Sequence, residues 1–208
     1  YWGYRDYGVS ALARLNLHQG VEYQLGYDYQ SFEGRDDVLK IGEQAERVHA
    51  VVAQVRTTDD LSEQARFAAG VRYNKTGETE ATVWNVSGHL DLTDSLYAEG
   101  TAGTSFLLPS AEQLFAIDPC CAVGNPNLKP EESLNLNAAV GQRTDRFRWQ
   151  ATAFWRRVRD LIVDDHDQPA FPDGIYVNTD GEVRVRGLEL QVQVRLAQGL
   201  TAQASWSW

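Results

Sequence analysis

Methionine is absent from this 208-residue chain, cysteine occurs twice, and proline six times. Even with 17 glycines added, the prolines are too few for a collagen-like or Pro/Gly-rich disordered protein. Basic residues are in deficit, 19 Lys and Arg against 29 Asp and Glu, and the two signs are interspersed. A formal charge of −10 with no basic patch argues against a nucleic-acid partner. No apolar run approaches the roughly 18 residues of a spanning helix, which excludes a helical membrane protein. A β-barrel stays open, because it hides its lipid face in alternation and tolerates a mean hydropathy of −0.42. The four histidines, at 18, 49, 89 and 166, are scattered. There is no His-Glu-x-x-His, no Cys/His metal spacing, no Gly-x-Ser-x-Gly elbow and no phosphate-binding loop. Neither catalysis nor a cofactor is expected. The start, Tyr1-Trp2-Gly3-Tyr4, lacks the regions of a signal peptide, and alternation runs on to Trp208. Residues 1–208 therefore read as a segment of something longer.

What the chain does have is period 2. Val21 to Gln30 sets Val, Leu and three Tyr against Glu, Gln, Gly, Asp and Gln. Phe67, Ala69, Val71 and Tyr73 alternate with Arg66, Ala68, Gly70, Arg72 and Asn74, and Leu188 to Leu196 repeats the pattern. Successive side chains on opposite faces are the strand signature. The chain reads as all-β, in about ten strands near 4–17, 20–32, 44–57, 62–75, 80–91, 95–105, 132–142, 146–163, 175–197 and 200–208. Tight turns at 18–20, 58–60, 93–94, 144–145 and 198–199 alternate with other stretches at 33–43, 75–79, 106–131 and 164–174. Short turns at one end and long loops at the other is the layout of an outer-membrane barrel. Several segments also exceed the ~5–6 residues typical of soluble strands. The expectation is an antiparallel up-and-down meander, curved and unclosed, forming part of a transmembrane barrel. Its lipid face should hold Val21, Tyr23, Leu25, Phe67, Val71, Trp84, Val86, Leu134, Leu136, Val140, Trp149, Trp155, Leu190, Val192 and Val194. Tyr27, Tyr29, Trp149, Trp155, Trp206 and Trp208 sit where interfacial aromatics would. A smaller pore or barrel enzyme, or a soluble β-sandwich, is the alternative.

The most specific stretch is Phe106-Leu107-Leu108-Pro109, then Glu112-Gln113-Leu114-Phe115, closing with Gly124-Asn125-Pro126-Asn127-Leu128-Lys129-Pro130-Glu131. Ala151 to Ile162, Tyr176-Val177-Asn178 and Gly187-Leu188-Glu189 follow in order. Over residues 95–208 this resembles the C-terminal half of a TonB-dependent outer-membrane receptor. Leu107 and Phe115 depart from the family's Arg and Tyr; the Gly-Asn-Pro-x-Leu-Lys-Pro-Glu block matches throughout. Residues 1–94 show generic alternation alone. The resemblance implies a portion of a 22-stranded barrel of the Gram-negative outer membrane, without the plug and its TonB-contacting segment. It implies active uptake of a scarce small molecule or metal chelate, such as a ferric siderophore, haem, cobalamin or an oligosaccharide, with lipid and the TonB complex as partners.

Mostly structural roles fall to the motif positions Phe106, Pro109, Leu114, Phe115, Gly124, Asn125, Pro126, Leu128, Pro130, Glu131, Asn178, Gly187 and Glu189. The prolines end strands and stiffen the loop, and Gly187 permits close approach in mid-strand. Residues 106–131 read as an extracellular ligand-capturing loop, with Phe106, Leu114 and Phe115 pinning its base and Asp118, Cys120, Cys121 and Asn127 near its tip. A bridge between adjacent cysteines would be strained. The Asp164-Asp165-His166-Asp167 run is a second contact candidate, able to offer oxygens to a cation, although a solvated loop tip is the simpler reading.

Overall fold

The computed structural model describes residues 2–77, 79–117 and 123–208. Asp118, Cys120 and Cys121 lie outside the described residues. The strands are β1 (Trp2–His18), β2 (Val21–Asp36), β3 (Ile41–Thr57), β4 (Ala65–Thr76), β5 (Thr79–Asp91) and β6 (Leu96–Leu107). A short helix α1 (Ala111–Phe115) follows. Then come β7 (Glu131–Arg143), β8 (Phe147–Arg159), β9 (Ile162–Asp165), β10 (Ile175–Asn178), β11 (Glu182–Ala197) and β12 (Leu200–Ser207). Ten strands form one antiparallel sheet in the order β1-β2-β3-β4-β5-β6-β7-β8-β11-β12, while β9 and β10 make a separate hairpin. The expected meander is observed: sequential strands are neighbours, and β1 and β12 are the edges of an unclosed sheet.

Two boundaries differ from the sequence expectation. Residues 33–43 are not a long loop, since the ladder runs on through Glu33↔Ala45 and Phe32↔Glu46 and leaves 37–40 as the turn. Asp36 makes that turn itself: its Oδ1 accepts the N–H of Val38 at 2.8 Å and of Leu39 at 3.2 Å. The segments 146–163 and 175–197 are not unbroken strands either. Asp160, at φ 51°, leaves the β region and ends β8, so β9 and β10 fold away as their own hairpin. Both long connections, 108–130 and 160–181, therefore lie at the same end, whereas the β2–β3 and β4–β5 connections there are tight.

The register assigns the faces. Leu15, Tyr23, Val55, Ala69, Val86, Ala102, Leu136, Trp155 and Arg186 form one continuous rung across nine strands. It begins near the turn end of β1 and finishes near the long-loop end of β11, the climb expected of tilted strands in a barrel wall. All fifteen residues expected on the lipid side share the face of this rung. Opposite them lie Glu22, Asp28, Arg56, Arg72, His89, Glu99, Asn137, Gln150 and Glu189. Two hydrogen bonds skip a strand on this polar face, Arg72 (β4) to Asp28 (β2) and Tyr97 (β6) to Gln150 (β8) at 2.9 Å. Side chains converge that way on a concave surface, so the polar face is the inside of the curve. Among the described residues few hydrophobic side chains are buried (Ile41, Ala50, Tyr97, Ala116 and Ala139), while Phe67, Val71, Trp84 and Leu136 are exposed. There is no packed two-sheet interior, such as a sandwich has, among the described residues.

Tyr97 shows how this wall is fastened. Its ring lies over Gly141 on the intervening strand β7, stacks against His89 with ring centroids 5.3 Å apart, and has the Arg143 guanidinium 5.4 Å from its centroid. A Cβ at Gly141 would come within 2.5 Å of Tyr97 Cζ and 2.8 Å of the Trp149 carbonyl oxygen. An aromatic laid over a strand glycine is a known register-fixing device. Gly141→Ala should therefore lower refolding stability of the full-length protein in lipid by about 1–3 kcal/mol. Urea titration in vesicles checks it, and an unchanged midpoint would mean that Tyr97 does not hold the register.

Candidate functional site

At the long-loop end, the chain between β6 and β7 folds back over the concave face of β1–β3. Leu107 ends β6, Pro109 supplies no N–H to extend the ladder, and Ser110 opens α1 with a capping box. Ser110 Oγ accepts from the Gln113 N–H at 3.2 Å, and Gln113 Oε1 accepts from the Ser110 N–H at 2.8 Å. The Ile117 N–H then donates to the Leu39 carbonyl at 2.9 Å, tying the loop to the β2–β3 turn. Between loop and sheet lies a cavity of about 900 Å³. Its wall carries the concave-face residues Trp2, Tyr4, Phe32, Gln44 and Glu46, and its roof is Pro109, Glu112, Leu114 and Phe115. Glu46 is oriented by Thr76 Oγ1, which donates to it at 3.0 Å. An aromatic hollow with a few carboxylates and amides is the usual composition of a small-molecule site.

The motif residues hold this roof in place. Asn125 to Leu128 is a turn with Pro126 at its second position, closed by the Leu128 N–H on the Asn125 carbonyl at 3.3 Å. Asn125 Oδ1 accepts the Asn127 N–H at 3.0 Å, and its Nδ2 donates to the Tyr176 carbonyl on β10 at 3.0 Å. Asn178, also on β10, reciprocates. Its Oδ1 accepts the Lys129 N–H at 2.8 Å, and its Nδ2 donates to the carbonyls of Lys129 and Asp160 at 2.9 and 2.7 Å. Glu131 Oε1 accepts the Ile162 N–H of β9 at 2.9 Å. Gly124 lies so close to α1 that a Cβ would stand 2.6 Å from the Phe115 nitrogen. Val123 bridges to Ile175, and Tyr176 Oη donates to Glu112 Oε1 at 3.4 Å. Two segments, joined by bonds between residues 31 to 51 apart, are thus locked together by two asparagines and a glutamate.

The remaining expected residues fall as follows. Leu114 and Phe115 sit half-buried in the roof, but Phe106 points to the convex face beside Trp84 and Leu134 and does not pin the loop. Its even position on β6 sets that direction. Leu128 is half-buried, and Pro130 precedes the first residue of β7. Gly187 lies under the Phe154 ring, where a Cβ would be 2.6 Å from Cζ. Glu189 is on the concave wall with Asn137, Thr152 and Arg156, below the mouth. His166 Nε2 pairs with Asp164 at 2.9 Å on the hairpin tip. The Gln168 amide at 2.8 Å and the Asp167 N–H at 2.9 Å hold the Asp165 carboxyl below its ordinary range. These carboxylates face local donors, and among the described residues no group of three His, Cys, Asp or Glu is placed to hold a metal. Sequence reasoning missed Trp2, Tyr4, Phe32, Gln44 and Glu46. They carry no motif, and the polar run at 33–43 hid that the β2–β3 ladder continues past Phe32 and brings Gln44 and Glu46 onto the same wall.

A family model described as "TonB dependent receptor-like, beta-barrel" matches residues 1–208. Over 109 residues, 51% of the chain, the sequence is 30% identical to the vitamin B12 transporter BtuB of Photobacterium profundum, and the match spans 17% of that protein. The crystal structure of the siderophore receptor PirA from Pseudomonas aeruginosa aligns with a TM-score of 0.85 at 17% identity, over 100% of this chain and 40% of that one. The ferric enterobactin receptor PfeA of the same organism, in complex with enterobactin, aligns at 0.84 and 18% identity, over 100% and 36%. Such identities carry the fold alone. The chain thus spans between 17% and 40% of the length of these relatives. With the meander, the two-faced wall and a family match over its whole length, this chain belongs to the TonB-dependent receptor-like β-barrel family.

Proposed function

We propose that residues 1–208 form a contiguous part of the barrel of an outer-membrane receptor that captures a scarce small molecule or metal chelate and imports it with TonB-coupled energy. The observation that carries this reading is the aromatic vestibule at the mouth of the concave wall, roofed by a loop that is hydrogen-bonded to the neighbouring hairpin. The convex apolar face meets lipid, the long-loop end is extracellular, and the polar concave wall surrounds a plug belonging to the rest of the receptor. Named relatives include a vitamin B12 transporter, siderophore receptors and a copper transporter, which supports the transport class and leaves ligand choice to the vestibule. A preformed hollow with aromatic walls binds by burying a flat or ring-bearing ligand, and its few polar groups fix the ligand's orientation.

The full-length receptor, titrated calorimetrically with ferric siderophores, haem, cobalamin and copper, should bind one of these classes. Phe32→Ala and Phe115→Ala should each weaken that binding about tenfold, while Phe154→Ala, on the wall below the mouth, should change it less. Equal affinity in all three variants would place the ligand elsewhere.

A further inference from the structure

We propose that the convex face at β8 and β11 is a binding site for the phosphate-bearing headgroup of an outer-leaflet lipid, with an acyl chain of that lipid lying in the groove beside it. This rests on the outer-membrane reading above. Arg157 on β8 and Arg184 on β11 stand directly opposite each other on the convex face, and Arg186 stands opposite Trp155 one rung below. Arg159 is one rung above, opposite Glu182. Like charges directly opposed across a strand pair are unfavourable unless an anion lies between them. Glu182 is shared by three of the arginines, at 2.7 Å from Arg159, 2.9 Å from Arg184 and 3.6 Å from Arg157. Arg186 has no ion-pair partner among the described residues. On the concave wall, by comparison, Arg56 pairs with Glu22 and Arg72 with Asp28, while Arg156 donates to the Asn135 side-chain carbonyl at 2.6 Å. On the convex side Glu132, opposite Arg159 on β7, also faces the cluster, and Glu80, which lines the same hollow as Glu132 and Arg159, is paired with Lys75 at 2.9 Å. Among the described residues, with Glu80 matched by Lys75, four arginines face the two carboxylates of Glu182 and Glu132, a positive excess where Trp155 marks the upper limit of the apolar band on β8.

Below the cluster the outer surface is hollowed. Gly88, Gly100, Ala138 and Ala153 form one rung of small residues across β5–β8, between higher walls that include Val86 and Leu136. The resulting groove holds about 600 Å³ and climbs obliquely with the rungs to end at Trp155, beside Arg186 and Arg157. An apolar channel leading to guanidinium groups at the interface matches an acyl chain leading to a phosphate. Guanidinium forks bind phosphate oxygens in pairs, with more geometric definition than lysine would give.

The test uses the full-length receptor, stripped of lipid in mild detergent and mixed with phosphatidic acid for native mass spectrometry. One bound phosphatidic acid per receptor is expected, in preference to phosphatidylcholine and not displaced by inorganic phosphate. The triple variant Arg157→Gln, Arg184→Gln, Arg186→Gln should lose at least about tenfold in affinity, the corresponding lysine triple should lose less, and Ala153→Leu should weaken binding by filling the groove. Undiminished binding by the glutamine triple, equal binding of phosphatidylcholine, or displacement by inorganic phosphate would overturn the inference. Heat-modifiable migration from outer-membrane fractions separates the two claims. A receptor without it defeats the membrane reading and this inference together, whereas a heat-modifiable barrel indifferent to phosphatidic acid defeats this inference alone.

Discussion

Arginine in place of Val71 is expected to cost about 2–4 kcal/mol of refolding stability in bilayers, while arginine in place of Ala68 should cost clearly less. The two positions are three residues apart on one strand, yet the register puts them on opposite faces. Val71 lies in mid-strand between Ala53 and Trp84 on the convex face and is 44% exposed. In lipid that exposure is to hydrocarbon, where a guanidinium has neither water nor a counter-ion. Ala68 lies between Arg56 and Ser87 on the concave face, within reach of solvated polar groups. Urea-driven folding of the full-length receptor into vesicles measures both. Equal penalties would mean that the faces are exchanged or that neither meets lipid.

The second large effect is expected at Asn178. Its side chain satisfies three backbone groups from two separate segments: the Lys129 N–H, the Lys129 carbonyl and the Asp160 carbonyl. Asp160 is also the non-glycine residue at φ 51° that turns the chain out of β8. Asn178→Ala removes all three bonds, at roughly 1 kcal/mol each, and withdraws support from a strained backbone position. The barrel wall should survive, because no strand of the main sheet depends on this residue. The loops should not stay docked. Limited proteolysis of outer-membrane preparations should cut within residues 108–130 at least about tenfold faster, and ligand retention should fall with it. Asn178→Asp keeps the acceptor and loses both donors, so it should lie between. A cleavage pattern identical to the parent would show that the clamp does not hold the roof.

The sequence and the structure agree most where burial is one-sided. Alternation is dictated by the pleat, so Leu188 to Leu196 and Phe67 to Tyr73 could be read strand by strand, and every residue expected on the apolar face lies there. Length was harder to read. β2 and β3 run past the expected limits because Asp36 forms its own turn, and a cluster of Gly, Arg and Asp looks the same whether it is loop or strand end. The site was legible only in part. Asn125, Glu131 and Asn178 carry a recognisable motif because each satisfies backbone groups that few other residues could, and Gly124 because a side chain there would meet α1, but their mutual pairing is a long-range fact that spacing does not encode. Trp2, Tyr4 and Phe32 gave no motif at all, since any large side chain at those concave positions would continue the same alternation. The arginine cluster was hidden for a related reason. Arg157 and Arg184 are distant in sequence and become neighbours only through the β8–β11 register, which depends on the intervening hairpin folding out of the way.

The central claim is a membrane wall whose long-loop end faces outward, and accessibility labelling tests it most directly. In the full-length receptor, with Cys120 and Cys121 replaced by serine, a single cysteine is introduced by Asn127→Cys at the exposed turn of the clamped loop. Asp145→Cys places one instead in the tight β7–β8 turn at the opposite end. Intact cells are treated with a membrane-impermeant maleimide. The predicted result is labelling at position 127 in intact cells and at position 145 only after the outer membrane is permeabilised. Labelling at 145 in intact cells with 127 protected would invert the topology and move the vestibule to the periplasmic side.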